Sequence, residues 1–569
     1  MSTGHSYDLI VLGSGAGGFA AAVTAAHHGL SVLVLEKDVR FGGASAISGG
    51  TIWIPGNRQA QEAGLDGGTD KARAYLRNLI GADADHTVLD AFLDQGGEAL
   101  AFLEENTELK FKARPVSPDY HMEVDGASEG GRALEVLEYD GSRLGGRFSE
   151  LRKPPEGMLL FGGMMVNRVD IQHFLAMRRS WTSLKHCLKL IARYARDRLT
   201  HERGTRLVVG NALVARLARS AFDLGVELRT EARVERLVVE DGLVRGVVLK
   251  TPDGPRAIFA RAGVVLATGG FGAAGDAGRW RPGTDAGHRS MSPAGVAGDG
   301  LALAAQAGAA LGTGLASNFY WAPVSVMIHA DGREERFPHL VTDRAKPGLI
   351  AVNRRGQRFV NEADSYHRFV MAMQAEPGIN APCHLLCDAA ALSAYGMGLA
   401  RPAPASNAGL VKNGYLIKAA SIEDLADRIG VTRAALAETV RRYNDDARHG
   451  RDTAFGKGDS SYNRSMGDPN HRPNPCLAPM AQAPFYAVKL ETGDLGSACG
   501  IRTDAKARVL DTEGRPVRGL YAVGNDMNSI MNGAYPGPGI TLGPALVFGV
   551  VAARDAAARL GKTMEGGLP

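Results

Sequence analysis

The first forty residues alternate between apolar runs and small residues in a way that predicts a βαβ unit. Within 7–36, an apolar run is followed by a glycine turn, an Ala-rich stretch that ends at Gly29, and a second apolar run. Continuous apolar runs of this length are typical of buried parallel strands, and glycine commonly ends a helix. We therefore expect a strand, a helix and a second strand in that order.

Strand-like patterns return in the middle and at the end of the chain. Residues 225–249 have alternating apolar positions on both sides of Asp241 and Gly242, a dipeptide that favours a hairpin turn. A buried strand ending in glycine is predicted within 262–272. A further strand within 519–526 would close the same sheet from the far end of the chain.

This order of elements predicts an α/β fold with two domains. Residues 1–325 and 496–569 would form a Rossmann-like dinucleotide-binding domain, with an insertion at about 147–206. Residues 326–495 would form an inserted α+β domain that caps it. The length of 569 residues also favours two or three domains over a single core.

The glycine turn of the βαβ unit has the spacing of a dinucleotide-binding motif. Gly13 would turn the chain, Gly15 would let the backbone approach a pyrophosphate at the helix N-terminus, and Gly18 would pack the helix on the strand. Glu36 ends the second strand, where a carboxylate can accept both ribose hydroxyls. The loop 41–57 is rich in glycine and small hydroxyl residues and is expected to hold the other end of the dinucleotide.

A second glycine-rich loop precedes an apolar helix near the end of the chain. Gly533, Gly537 and Gly539 alternate with prolines around Tyr535, so that backbone N–H groups can approach a ligand closely. The small and apolar residues after Thr541 predict a helix whose first N–H groups face the ligand. Such a loop is suited to a carbonyl oxygen or an electron-rich ring.

Residues 178–203 predict a basic amphipathic helix inside the 147–206 insertion. Lysines and arginines occupy the rest of its surface. Such a helix binds a membrane surface or an apolar partner, or packs on its own protein. Its predicted apolar face contains Trp181, Leu184, Leu188, Ile191 and Ala195.

Composition narrows the function classes. The net charge of +4, from 65 basic and 61 acidic residues, is too balanced to indicate nucleic acid binding. The five cysteines show no paired CxxC spacing, which favours free thiols in the cytoplasm and argues against a metal site. We expect no signal peptide, because the first residues lead directly into a strand, and the longest apolar runs are too short to span a bilayer.

These motifs together resemble the fumarate reductase and 3-ketosteroid dehydrogenase superfamily of FAD enzymes, over nearly the whole chain. Within it, the sequence looks most like the 3-ketosteroid Δ1-dehydrogenases, because GDLGSACGIRTDA at 493–505 and Tyr-x-Gly-x-Gly at 535–539 are patterns of that group. The segments that carry the wider resemblance are GSGAGG with Glu36, the 41–57 loop, ATGG at 267–270, AGDGLALAAQAGA at 297–309, RFVNE at 358–362 and GAYPGPGITLGPA at 533–545.

The resemblance implies a role for four residues. Tyr535 and the backbone N–H of Gly539 would bind the substrate ketone and promote its enolisation. Tyr366, shortly after RFVNE, would be the base that removes the α-proton, and Tyr120 would assist it. A hydride would pass to N5 of the flavin, which gives a 1,2-desaturated 3-ketosteroid.

The resemblance also implies non-covalent FAD, since the chain has no histidine between Lys37 and Asn57 that could link a flavin locally. An external acceptor such as a quinone would reoxidise it. Besides the motif residues Gly13, Gly15, Gly18 and Glu36, the expected FAD contacts are Ala16, Lys37, Gly43, Ala44, Ser45, Ser48, Gly49, Gly50, Val234, Ala267, Thr268, Gly269, Gly524, Asn525, Thr541 and Leu542.

Three other functions fit parts of the pattern. Desaturation at C4–C5 of a 3-ketosteroid needs the same ketone-binding pair. A fumarate reductase-like enzyme would need cations for a dicarboxylate, but no histidine follows His471 and no arginine lies between Arg518 and Arg554. A subunit that only relays electrons would need haem or iron–sulfur cysteine spacing, which is missing.

Overall fold

The computed structural model describes residues 6–65, 67–81, 84–156, 159–177, 180–274, 287–340 and 343–562. Its strands, in chain order, are β1 Ser6–Leu12, β2 Val32–Leu35, β3 Thr51–Trp53, β4 Phe111–Ala113, β5 Ala133–Val136, β6 Tyr139–Asp140, β7 Leu159–Leu160, β8 Met164–Met165, β9 Arg206–Leu207, β10 Glu227–Arg229, β11 Val234–Glu240, β12 Leu243–Thr251, β13 Gly254–Leu266, β14 Arg289–Ser290, β15 Phe319–Trp321, β16 Val324–Ile328, β17 Glu334–Pro338, β18 Leu349–Val352, β19 Cys383–Cys387, β20 Ile417–Ala419, β21 Phe485–Leu490, β22 Gly493–Ser497, β23 Arg508–Leu510 and β24 Pro516–Ala522.

The α-helices are α1 Ala16–His27, α2 Gly43–Ile47, α3 Arg58–Glu62, α4 Thr69–Ile80, α5 Thr87–Asn106, α6 Arg168–Ala176, α7 Trp181–Asp197, α8 Val209–Asp223, α9 Asp299–Gln306, α10 Tyr366–Ala375, α11 Ala389–Tyr395, α12 Ala408–Lys412, α13 Ile422–Ile429, α14 Arg433–His449, α15 Ser461–Met466 and α16 Leu542–Arg559. Short 3₁₀ helices span Gly141–Glu150 and Gly524–Asp526.

The main sheet takes its strands from both ends of the chain. Its spatial order is β10-β2-β1-β13-β12-β24-β23, with β11 paired to β12. Strand β1 is parallel to β2 and β13, and β24 is parallel to β13, so the predicted βαβ unit and the predicted closing strand are confirmed. The hairpin is also confirmed, since β11 and β12 are antiparallel, and Asp241 and Gly242 both have positive φ, as the favoured two-residue hairpin turn requires.

Helices α1 and α16 pack closely against each other beside this sheet. Most residues of both helices are buried, which explains why neither sequence shows a polar face. The helices approach where Gly549 faces α1, since a Cβ at Gly549 would lie 2.7 Å from the Gly17 carbonyl oxygen. The N-termini of both helices border the cavity described below.

A second sheet lies within residues 349–490. Its four strands have the order β18-β19-β21-β20, with all neighbours antiparallel. Helices α13 and α14 cover one face and form a separate apolar core with it, which includes Leu386, Leu425, Leu436 and Tyr443. This region supplies helix α10, which begins at Tyr366.

Helix α7 packs on the protein through a different face from the predicted apolar one. Ser183, Cys187 and Leu190 are buried, whereas Trp181 is 72% exposed and Leu188 is 55% exposed. Residues 178–179, at the start of the predicted basic helix, lie outside the described residues. The helix therefore exists as predicted, but Trp181 and Leu188 of its predicted apolar face are open to solvent.

Candidate active site

One cavity of about 1770 Å³ connects the two glycine-rich ends of the chain. This volume exceeds the usual range of a small-molecule pocket, about 300–1,000 Å³, so the cavity has room for a dinucleotide and a second molecule. All predicted cofactor and catalytic residues line it except Gly18. The sequence-based prediction therefore places residues from distant parts of the chain around the same space.

Gly13 and Gly18 both shape the cavity, but only Gly13 lines it. Gly13 has φ of +102°, and a Cβ there would overlap the carbonyl oxygen of Ala267, directly after β13. A Cβ at Gly18 would overlap the Gly13 carbonyl oxygen. Gly18 therefore allows α1 to pack on the turn after β1, as predicted, while Gly15 lies at the helix N-terminus facing the cavity.

We expect Gly18→Ala to lose most of its bound FAD and about 1–3 kcal/mol of folding free energy, because the added methyl group has no room. The ratio of flavin to protein absorbance and the thermal unfolding midpoint measure the two effects. Gly409→Ala in the exposed helix α12 is the control, since a Cβ there meets no atom within 4 Å. Full flavin content in the Gly18 variant would contradict the proposed packing role.

The carboxylate of Glu36 is held at the end of β2. Ser14 donates to its Oε2 from the hydroxyl at 2.5 Å and from the backbone N–H at 3.3 Å, and the Asp38 N–H donates to its Oε1 at 3.0 Å. Lys37 forms an ion pair with Asp299 at the start of α9. These contacts fix an acceptor group at the ribose position of the predicted dinucleotide site.

Asp526 joins the two strand ends on the other side of the cavity. Its carboxylate accepts hydrogen bonds from the Thr268 N–H at 2.5 Å, the Thr268 hydroxyl at 2.9 Å and the Gly270 N–H at 2.8 Å. Burial raises the pKa of Asp526 to about 6. The ATGG turn after β13 is therefore fixed to the GND segment after β24.

The 533–539 loop is held in place by groups from the first part of the chain. The carbonyl oxygen of Pro536 accepts from the Tyr120 N–H and from the Tyr75 hydroxyl, each at 2.8 Å. A Cβ at Gly537 would lie 2.8 Å from the indole nitrogen of Trp53, so only glycine fits there. The loop therefore presents Tyr535 and Gly539 in one defined position.

Gly539 offers a free hydrogen-bond donor to the cavity. Its φ is +98°, and a Cβ would lie 2.5 Å from the Thr51 carbonyl oxygen. Its carbonyl oxygen accepts from Trp53 and Gly543, whereas its N–H has no acceptor among the described residues. Gly539 is half-buried, and an N–H at the cavity wall without a protein acceptor is open to a ligand oxygen.

Tyr120, Tyr366 and Tyr535 form a compact aromatic group beside this donor. The Tyr120 hydroxyl donates to the Tyr366 hydroxyl at 3.1 Å. The Tyr535 ring stacks on Tyr120, with centroids 5.4 Å apart, and meets Tyr366 edge to face at 5.1 Å. Burial raises the pKa of Tyr535 to about 12, and burial together with the neighbouring tyrosines raises the pKa of Tyr366 well above its ordinary value.

Tyr120 is positioned by a buried ion pair next to it in sequence. Asp119 accepts from Arg132 at 2.5 Å, from the Trp53 indole at 2.9 Å and from the Ser128 N–H at 3.0 Å. Asp119 and Arg132 are each 1% exposed. Removing one partner of such a pair leaves an uncompensated buried charge, so we regard Asp119 as a positioning residue.

Several of these residues were missed at the sequence level. Ser14, Asp119, Tyr320 and Asp526 support or line the site but were not predicted. Ser14 and Asp526 lie inside segments already singled out for glycine, so their polar side chains gave a usable signal. Asp119 and Tyr320 act through residues far away in sequence, which no local pattern indicates.

A buried Ser–His–Asp group lies near the cavity wall. His339 is 2.7 Å from Ser325 Oγ and 2.6 Å from Asp343 Oδ2, and the Tyr415 hydroxyl contacts Ser325 at 2.7 Å. Ser325 has no exposed surface, so it cannot reach a substrate as a nucleophile. Its role is structural: Asp343 and Tyr415 accept the N–H groups of residues 398–399 and hold that bend against the cavity.

The residues present fit a bound dinucleotide with a flavin ring. A glycine turn opens onto the N-terminus of α1, Glu36 supplies an acceptor, and the N-terminus of α16 lies near Gly539 at the other end of the same cavity. Among the described residues, no group of three or more His, Cys, Asp or Glu side chains could hold a metal ion.

The comparisons with known proteins agree with this geometry. The family model "FAD binding domain" matches residues 8–542. A 4-oxocyclohex-2-ene-1-carboxylate 5-dehydrogenase from Sinomonas cyclohexanicum is 40% identical over 98% of this chain and 95% of its own length. A 3-oxosteroid 1-dehydrogenase from Mycolicibacterium smegmatis is 35% identical over 99% of both chains.

A solved structure is similar over the same extent. The crystal structure of 3-ketosteroid Δ1-dehydrogenase from Sterolibacterium denitrificans, in complex with 1,4-androstadiene-3,17-dione, has a TM-score of 0.89 and 36% identity. The match covers 98% of this chain and 100% of that one. The chain therefore belongs to the FAD binding domain family and binds FAD, in the branch of oxidoreductases acting on CH–CH groups that includes the 3-oxosteroid 1-dehydrogenases.

Proposed function

We propose that this enzyme removes two hydrogens from the carbon–carbon bond next to a ring ketone, with 1,2-desaturation of a 3-ketosteroid as its leading reaction. One observation carries the proposal: the N–H of Gly539 has no acceptor in the described part of the protein, and it lies beside Tyr535 and the pair formed by Tyr120 and Tyr366. The names of the similar 3-oxosteroid and 4-oxocyclohexene carboxylate dehydrogenases both specify a ring ketone as substrate. This supports Tyr535 and Gly539 as the site of the reacting carbonyl.

Each catalytic residue has a defined task in this proposal. The Tyr535 hydroxyl and the Gly539 N–H donate to the ketone oxygen, where negative charge develops as the α-proton leaves. The phenolate of Tyr366 takes that proton and becomes a phenol. Burial and the neighbouring tyrosines oppose the charge of this phenolate, and Tyr120, whose hydroxyl lies 3.1 Å from that of Tyr366, would donate to the Tyr366 oxygen once the phenolate forms. FAD, when bound, accepts the hydride from the adjacent β-carbon.

Product analysis tests the proposal and its alternatives. With 4-androstene-3,17-dione and an artificial electron acceptor, we expect the 1,4-diene, identified by NMR and by a mass loss of two hydrogens. A saturated 3-ketosteroid converted to the 4-ene would instead support 4,5-desaturation. Reduction of fumarate by the reduced enzyme, without oxidation of any ring ketone, would support the fumarate reductase-like alternative and overturn the proposal.

We further infer that an external acceptor such as a quinone reoxidises the flavin. The dinucleotide motif at Gly13–Gly18, between β1 and β2, is assigned to FAD and is therefore not left for a nicotinamide acceptor. Four of the five free cysteines are buried.

We also retain the inferred division into an FAD-binding domain, 1–325 and 496–569, and a catalytic capping domain, 326–495.

A peripheral contact with membrane lipid is the second part of the proposed function. Six of the fourteen large apolar side chains that are exposed among the described residues lie within 161–199. Three of these six, Phe161, Val169 and Ile171, also line the cavity, so its wall continues into the exposed apolar surface. Lysines and arginines on α7 suit anionic lipid headgroups. None of the described helices is both long and apolar enough to cross a membrane.

We expect the triple change Trp181→Ser, Leu188→Ser and Leu199→Ser to weaken binding to anionic phosphatidylglycerol vesicles by about tenfold or more, because three exposed apolar groups are lost. Co-sedimentation of the holoenzyme with vesicles measures the effect. Val239→Ser with Ile328→Ser is the matched control, since both side chains are exposed elsewhere. Equal co-sedimentation of the triple variant and the wild type would show that α7 is an ordinary surface helix without a role in lipid binding.

A further inference from the structure

Three cationic side chains converge on the cavity from separate elements. Arg114 follows β4, Arg168 is the first residue of α6, and Lys346 precedes β18. We call these three residues the cationic cluster. Arg114 lies near Tyr120 and Tyr462, which places the cluster beside the catalytic tyrosines.

The cluster has no carboxylate of its own. Neither guanidinium has an ion-pair partner or a hydrogen-bond acceptor among the described residues. The acids nearby already have partners. Glu135 pairs with Lys112 at 2.7 Å, Asp468 accepts from the Tyr395 hydroxyl at 2.8 Å, and Asp343 contacts His339 at 2.6 Å.

The charges of the cluster oppose one another. Burial lowers the pKa of Arg114, and the positive charge of Arg168 lowers it further. Burial and Arg168 likewise lower the pKa of Lys346, although its ammonium donates to the carbonyl oxygens of Met466 and Gly467 at 2.7 Å each. Arg168 is exposed, and Arg114 and Lys346 are half-buried, so the like charges repel one another at the cavity wall, and a bound anion would offset that repulsion.

We infer that the cationic cluster binds a carboxylate carried by the substrate, so that the enzyme acts on a ring ketone that is also an acid. The inference rests on the proposed function, because the ketone must lie at Tyr535 and Gly539. A guanidinium suits this ligand, since its planar fork donates two parallel hydrogen bonds to a carboxylate. A single-ring keto acid and a steroid with an acidic side chain both provide this chemistry.

Binding to the oxidised holoenzyme tests the cluster without turnover. The probes are 4-hydroxybenzoate, whose phenol oxygen can occupy the ketone position, and its methyl ester, which lacks the negative charge. By isothermal titration we expect the acid to bind roughly 10–100-fold more tightly than the ester, as charged hydrogen bonds allow. Arg114→Met combined with Arg168→Met should remove this preference, and Arg114→Lys should keep part of it.

Arg441→Met with Arg442→Met, on the exposed side of α14, is the matched control and should keep the full preference. Equal binding of acid and ester by the wild type would overturn the inference. So would a preference that survives in the Arg114 and Arg168 double variant.

Turnover distinguishes the two sources of the carboxylate. For 4-oxocyclohexanecarboxylate or 3-oxochol-4-en-24-oic acid, whichever is the substrate, the double variant should raise KM at least about tenfold and leave kcat unchanged. The KM for neutral 4-androstene-3,17-dione should not change, and an equal rise for the dione would overturn the inference. If none of the three compounds reduces the flavin, the proposed function fails, while the titration still decides whether the cluster binds a carboxylate.

Discussion

Replacing Tyr366 by phenylalanine should lower kcat by about 10²–10⁴-fold, the usual contribution of a general base, while KM and FAD content stay close to the wild type. The ring of Tyr366 packs against Tyr120 and Tyr535, so phenylalanine keeps the aromatic contacts and removes only the hydroxyl. Steady-state turnover of a ring ketone with an artificial acceptor measures the change.

The pH dependence of the wild type should identify the same group. Burial raises the pKa of Tyr366 well above its ordinary value, so its phenolate is a minor species at neutral pH. The active form gains population as pH rises, and kcat/KM should increase by about tenfold per pH unit between pH 7 and 9. The Tyr366→Phe variant should lose this increase. A variant with the wild-type rate and pH profile would rule out Tyr366 as the base.

Replacing Tyr535 by phenylalanine should lower kcat by about 10²–10³-fold, since one of the two donors to the developing enolate oxygen is lost. Burial raises the pKa of Tyr535 to about 12, so its hydroxyl remains a donor throughout the neutral and mildly alkaline range. FAD content should be unchanged, because the Tyr535 hydroxyl is not needed to hold the cofactor. Loss of FAD from this variant would mean that the loop is misassigned.

Tyr320→Phe is the matched control for Tyr535. The two rings meet edge to face with centroids 5.5 Å apart, but the Tyr320 hydroxyl donates to Ser529 at 2.9 Å instead of being free for a ligand. We expect less than about a fivefold change in kcat, since removal of a hydrogen bond of this kind costs about 1 kcal/mol. An equal loss of kcat in both variants would indicate that packing of the cavity wall, and not hydrogen-bond donation by the Tyr535 hydroxyl, causes the effect.

The parts of the fold that are encoded locally could be predicted from the sequence. The βαβ unit depends on contiguous apolar runs and on Gly13 and Gly18, each of which has a separate steric reason, with Gly15 at the start of α1. The hairpin at Asp241 and Gly242 needs only a turn in which both residues have positive φ. Local patterns of this kind predict the structure correctly, because the contacts that depend on them lie within one supersecondary unit.

The supports of the site could not be predicted, because they depend on contacts between distant segments. Asp119 reaches Trp53, which is 66 residues away, and Asp526 holds Thr268, which is 258 residues away. The face that α7 buries could not be predicted either. Its apolar residues left open a membrane, a partner or the protein itself as the contact, and the structure buries the side of Ser183 and leaves Trp181 exposed.

The central step of the proposed reaction is the activation of a ring ketone by Tyr535, Gly539 and Tyr366 for oxidation by FAD. Anaerobic mixing of the oxidised holoenzyme with a ring ketone, followed by flavin absorbance, tests this step directly. We predict that the flavin band bleaches, with one equivalent of desaturated ketone formed per flavin, and that the Tyr366→Phe variant bleaches at least about a hundredfold more slowly. A flavin that stays oxidised with 4-androstene-3,17-dione and with both keto acids would contradict the account.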